Sequence, residues 1–217
     1  MQTVVEFAYE EAIVDICKLN WPSINEDEAI GVAWAYYFFS VQFRENLQIA
    51  CILHPDDEKL QDLEREECDT ANLSPWLGVA QISEKMDHDE FMRRVLALVP
   101  IPEPKRHRFE ESGGHYLRMV REMDATTRAL SIASYEDGGL ERVFRAMLTS
   151  PASQNPLLRG FRHFLSEHIR FDSDPTQGHG AMIRHLRPDD RILPLWISFR
   201  DLLVEFVPSL SPAGHAS

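Results

Sequence analysis

Two histidines and an aspartate near the C-terminal end of the chain have the residue types and spacing of a metal-ligand set. His168 and Asp172 are four residues apart, so on a helix they project from one face, one turn from each other. His179 follows across a polar, turn-rich break. Two imidazoles and a carboxylate form the facial ligand set of non-haem iron, which leaves positions open for oxygen. Further carboxylates and imidazoles stand in two other places. Glu64, Glu66 and Glu67 form an acidic run that is followed by His88. Tyr135 and Glu136 close an otherwise small and apolar stretch, residues 129–136.

Each cluster alone also has a bland reading. An acidic run is commonly a solvated helix face. A histidine in a first helical turn is commonly exposed. A His-x-x-x-Asp pair on a surface is worth a few tenths of a kcal/mol, about that of any i,i+4 pair. Their joint arrangement is more specific, because each abuts an apolar helical run, and bundle metal sites are built from side chains on facing helices. A ferritin-like site is disfavoured, since no histidine in the chain has a glutamate three residues before it.

The elements that must carry these residues read as helices throughout. Residues 4–18 show an amphipathic pattern. A second helix opens at the acids 26–28 and runs to Leu53; it carries Trp34, Tyr36, Tyr37, Phe38, Phe39 and Phe43 and is apolar nearly all round, which marks it as central and buried. A short helix follows Pro55 to about Cys68, and residues 69–83 read as a loop. Asp87 and Glu90 have the spacing of a capping box opening a helix to about Leu98, with His88 in its first turn. Pro100, Pro102 and Pro104 suggest a stiff linker over 99–110. A long helix is expected over 112–135, kinked or broken at Gly138 and Gly139 and continuing to about Leu148. Asn155 caps a helix to Asp172, a short helix spans 180–186, and a last one runs from Pro188 to about Leu210. No strand or repeat is evident. The expected fold is all-α, seven or eight helices in one bundle over residues 1–210, with 211–217 a disordered tail.

With 217 residues, 44% of them hydrophobic and 26% charged, the chain has the composition of a soluble globular domain. A formal net charge of −13 argues against a nucleic-acid surface. No apolar run is long enough for a membrane span. The first residues lack the basic and apolar regions of a signal peptide. Cys17, Cys51 and Cys68 make neither a disulfide framework nor a CxxC pair, so a reducing cytoplasm is the expected compartment. Phosphate-binding and dinucleotide-binding glycine motifs are missing.

In their order along the chain these passages resemble the haem-oxygenase-like diiron oxidases and oxygenases, a group with the TenA/PqqC-like helical fold. The aromatic stretch 34–43 is similar to that family's second helix, and 63–67 to the end of its third, where a glutamate binds metal. Residues 87–91 resemble the helix start that supplies a histidine. Residues 133–136 resemble its Tyr-Glu segment, and 164–172 its final His-x-x-x-Asp helix. The likeness covers about residues 30–186.

The resemblance implies two iron ions and no haem; residues 1–53 contain no histidine to serve as a first-helix haem ligand. It implies that Glu67, His88 and Glu136 serve one iron, with Glu136 shared, and that His168, Asp172 and His179 serve the other. Glu64, Glu66 or Glu84 could stand in place of Glu67, because residues 69–83 lengthen the usual spacing to His88. Asp174 could stand in place of His179, and a one-metal site is also open. Tyr36 or Tyr37 could donate a proton or an electron to an oxidised centre. The implied reaction uses O2 on a small amine, amino acid or fatty-acid-like substrate, in a fold that is commonly homodimeric. The competing expectation is a metal-independent TenA- or PqqC-like enzyme or small-molecule-binding protein, in which the same residues hydrogen-bond an organic ligand.

Overall fold

The computed structural model describes residues 7–68, 75–170, 179, 183 and 185–211, with residues 171 and 172 as helical backbone. The expected helix 180–186 lies partly outside them, and residues 212–217 of the expected tail, Asp174 and the side chain of Asp172 lie outside them. Among the described residues the regular structure is helical: α1 (Ala8–Cys17), α2 (Glu26–Leu53), α3 (Glu58–Glu67), α4 (His88–Ala97), α5 (Glu103–Arg121), α6 (Ala125–Ser134), α7 (Leu140–Met147), α8 (Pro156–Asp172) and α9 (Leu193–Phe206). The nearest approach to a strand is an isolated bridge between Trp76 and Ala80.

Helix α2 is the axis of the fold. It packs against α3, α4, α5, α6, α8 and α9. Its start is fixed by a reciprocal capping box: Glu28 N–H donates to Asn25 Oδ1 at 3.0 Å, and Asn25 N–H to Glu28 Oε2 at 2.8 Å. Apolar residues on nearly every side of α2 are buried, from Ile30 to Cys51. A helix with no polar face finds its lowest free energy with neighbours all round it.

Two expectations are corrected in the middle of the chain. The proline-rich stretch is not a linker to residue 110, because α5 begins at Glu103 with Pro104 in its first turn. Proline costs nothing there, since first-turn N–H groups have no intrahelical acceptor. The expected long helix over 112–135 is two. Asp124 caps α6 by accepting from Thr127 N–H at 2.9 Å, which restarts the helix after α5 ends at Arg121.

Helices α6 and α7 meet at a kink, Tyr135–Gly139, a π-like turn in which Asp137 (φ −78°, ψ 44°) and Gly138 (φ +87°) leave helical geometry. A buried polar layer holds this turn to α2 and α9. Gln42 donates to the Tyr135 hydroxyl at 2.7 Å and accepts from the Tyr116 hydroxyl. Asn46 donates to Ser131 at 3.0 Å and accepts from Arg128 at 2.8 Å, and Trp196 donates to Ser134 at 3.1 Å. These side chains are buried, so each pairing avoids the cost of about 1–3 kcal/mol of a stranded polar group. At Gly139 a Cβ would stand 2.2 Å from the Ser134 carbonyl oxygen and 2.9 Å from the Trp196 ring.

Two outcomes follow for stability, both measurable by urea unfolding. Gly139→Ala should cost more than about 2 kcal/mol, because its obstacle is backbone. Gly138→Ala, with open space around it but a left-handed φ, should cost about 1–2 kcal/mol; the reverse order would contradict this account of the turn. Glu45 on α2 joins Arg121 and Arg128 at 2.5 and 3.1 Å. Burial raises its carboxyl, but the two guanidinium groups outweigh burial and hold it below the usual range. A lowered folded-state value means that the contribution is complete above the unfolded carboxyl value and is lost as pH falls through the folded one. Glu45→Gln should therefore lose about 1 kcal/mol at neutral pH, with the difference from wild type vanishing in acid.

Candidate metal centre

Three helices, the turn between α6 and α7 and the segment containing His179 deliver the candidate ligands to one place. Glu67 is the last residue of α3 and His88 the first of α4. His168 lies in the last turns of α8, and Glu136 is the second residue of the kinked turn. A kink between two helices aims a side chain in a direction that a straight helix would not give it. Glu67, His88, Glu136 and His179 are 5–8% exposed, and His168 is half-buried.

Their reactive atoms meet. Glu67 Oε2 lies 2.6 Å from His88 Nδ1, which lies 3.1 Å from His168 Nε2. The three residues can each offer one ligand atom within 4.8 Å of the others. On the other side of the same carboxylate, Glu67 Oε1 is 3.0 Å from His179 Nδ1, and Glu136 Oε2 is 3.2 Å from that nitrogen. Glu67 thus faces two groups of ligands, one through each oxygen. Among the described residues His168 stands with Glu67 and His88, and His179 stands with Glu67 and Glu136, a grouping different from the expected one; the side chain of Asp172 lies outside them.

Proton positions show what this arrangement suits. His168 Nδ1 is 2.9 Å from the Phe164 carbonyl oxygen, which can only accept, so Nδ1 carries the proton. In the neutral ring this leaves a lone pair on Nε2, directed at His88. Burial raises the Glu67 carboxyl, but the charges of the His88 and His179 imidazoles outweigh it and hold the group well below the usual carboxylate range. Glu67 is therefore ionised and can only accept. His88 Nδ1 has room for one proton and two close contacts to serve with it, one to Glu67 and one to His168. No protonation state gives both contacts a linear hydrogen bond. Glu67 Oε1, fully buried, accepts no hydrogen bond among the described residues, despite His179 at 3.0 Å. Carboxylate and imidazole donor atoms that converge in this way are of the type that suits a cation.

Outer contacts orient the imidazoles, as they do around bound metals. The Phe164 carbonyl sets the His168 tautomer. The second nitrogen of His179, Nε2, is 3.2 Å from Glu66 Oε2. Glu66 is half-exposed and reaches the cluster through His179 rather than replacing Glu67. Glu84 and Glu64 are engaged elsewhere: Glu84 pairs with Arg94 at 2.6 Å, and Glu64 lies beside the Cys51 thiol. No sequence signal distinguishes these roles, although neighbouring helical residues differ by about 100° in direction.

A cavity of about 20 Å³, enough for one water molecule or ion, opens beside the cluster. Tyr36, Phe43, Leu140, Phe144 and Phe164 form its apolar wall. Tyr36 packs edge-on to Phe144 and Phe164 at 5.4 and 5.6 Å between ring centres. Tyr37 does not line it; one residue further round α2, it faces an outer groove with Trp34, Phe38 and Ile101. Cys68 also lines the cavity, and burial, with the carboxylates of Asp87 and Glu67, pushes its thiol up to about 12. It stays a thiol near neutrality and is no ready nucleophile.

No protein-family model, curated protein or solved structure matches this chain. The molecule is thus defined by its own features, an all-helical fold with a buried carboxylate–imidazole cluster. Nitrogen NMR of the metal-free protein should find His168 protonated at Nδ1; a ring protonated only at Nε2 would contradict the tautomer assigned by Phe164.

Proposed function

We propose that this chain is an O2-using non-haem iron oxidase or oxygenase of the haem-oxygenase-like diiron class, acting on a small amine, amino acid or fatty-acid-like substrate. The observation that carries the metal reading is His88 Nδ1, one proton position between the Glu67 oxygen at 2.6 Å and the His168 nitrogen at 3.1 Å. The donor set fits. Imidazole and carboxylate suit iron, and their mixture with open positions is the ligand type of oxygen-activating centres. Glu67, His88 and His168 would hold one ion, and Glu67, Glu136 and His179 a second. Asp172 ends the same helix, one turn beyond His168. When bound, iron would supply the electrons for oxygen activation, chemistry that no side chain provides.

The chain's own residues have the remaining tasks. Glu67 holds the two halves of the cluster in one register. Glu66 and the Phe164 carbonyl fix the directions of His179 and His168. Tyr36 belongs to the cavity wall and is the residue to which we assign proton donation there. The aromatic wall limits water and favours an apolar part of a substrate.

Without metal, imidazole nitrogens face the buried carboxylates, and any protons they carry stand where a metal would bind. Metal uptake must displace them, so binding should release protons and weaken as pH falls. Anaerobic addition of Fe(II) should raise the melting temperature of the wild type. Saturation at a hundred times the dissociation constant would add about 2.7 kcal/mol. Glu67→Gln and His168→Ala should largely lose the shift. An unchanged melting temperature for the wild type, with no iron retained after desalting, would overturn the reading.

A further inference from the structure

His88 depends for its position on a residue that is not a candidate ligand. It opens α4 directly after the irregular stretch 75–87, at a helix end that lacks the usual fastening. Asp87 occupies the N-cap position, and its side chain makes no capping hydrogen bond. Glu90, expected to complete a capping box, bonds instead to Arg93 at 2.6 and 2.8 Å and to Arg94 at 2.8 Å. First-turn N–H groups without a cap leave a helix end prone to fray. A ligand there would have its direction smeared unless something else held it.

Arg44 of α2 supplies the hold. Its Nε and Nη2 donate to the two carboxylate oxygens of Asp89 at 3.1 and 3.0 Å, a two-pronged contact that fixes orientation as well as distance. Its Nε also lies 3.8 Å from Asp87. One guanidinium therefore engages both chain neighbours of His88. The Asp89 side chain is only 12% exposed, which shields the pair from solvent screening. Arg44 and Asp89 also line the cavity beside His88. Two carboxylates flanking a ligand are themselves potential ligands, and the same contact keeps them turned to Arg44.

We propose that Arg44 is a positioning residue for the candidate metal centre, tying the residues on either side of His88 to α2 so that its Nδ1 faces Glu67 and His168. The inference rests on the metal reading above and extends it to a residue outside the ligand set. Lysine keeps the charge without the planar fork, so it should substitute only in part.

The test is a Co(II) titration of the apo-protein followed by visible absorption, which reports affinity and ligand geometry without turnover. Arg44→Ala should weaken Co(II) binding about 10–100-fold, the usual effect of losing an outer partner, and should shift the visible bands. Arg44→Lys should recover part of both. Asp89→Asn should act in the same direction as Arg44→Ala, and the double variant should be no worse than the poorer single one. Arg142→Ala, which breaks a surface pair with Glu10, should leave affinity and spectrum unchanged. Wild-type affinity and bands in Arg44→Ala would overturn the positioning role while leaving the metal reading intact. If Arg44→Ala does not fold, unchanged affinity in both Arg44→Lys and Asp89→Asn would overturn it equally. A wild type that binds no Co(II) would remove both readings together.

Discussion

Burial of the Glu67 carboxylate is the constraint on which the rest of the site depends. An ionised carboxylate removed from water must be compensated, or it will protonate or unfold its surroundings. Here compensation comes from imidazoles, His88 on one oxygen and His179 on the other. Neither is a fixed cation like arginine, so the compensation depends on protons that a metal could replace. A buried arginine would make a salt bridge; buried histidines leave the choice between proton and metal open. That choice is why the cluster supports a chemical role better than a structural one.

The architecture can be understood as the means of keeping that carboxylate in place. Helix α2 is apolar on nearly all sides and gathers α3, α4, α6 and α8 around itself. Those helices then present their ligand-bearing ends to one point. The buried hydrogen bonds of Gln42, Asn46 and Trp196 hold the kinked turn, and the turn brings Glu136 in from a helix that would otherwise pass by. Irregular helix geometry is costly, and here it sits beside the one group of buried carboxylates and histidines among the described residues.

Much of the fold is legible in the sequence because helix signals are local. The aromatic run in α2, the Asn155 start of α8 and the glycine kink at 138–139 all mark elements that are present. The departures have equally local causes. Pro104 carries a linker signal although proline also suits a first helical turn, and the Asp124 cap is hidden inside a continuous apolar pattern. Asp87 and Glu90 have the spacing of a capping box, but arginines draw both carboxylates away from the helix end. For the site, residue types and order along the chain suffice to bring Glu67, His88, Glu136, His168 and His179 into one candidate set. Which carboxylate meets which histidine depends on long-range packing. So does the separation of Tyr36, in the cavity wall, from Tyr37, in an outer groove. The side chain of Asp172 lies outside the described residues.

The most direct measurement is anomalous X-ray diffraction at the iron absorption edge, from crystals reconstituted with Fe(II) without oxygen. The account predicts density bounded by Glu67, His88 and His168, with a second peak on the Glu136 and His179 side of Glu67. Well-ordered crystals in which these side chains surround no anomalous peak, or in which iron binds only elsewhere, would contradict it.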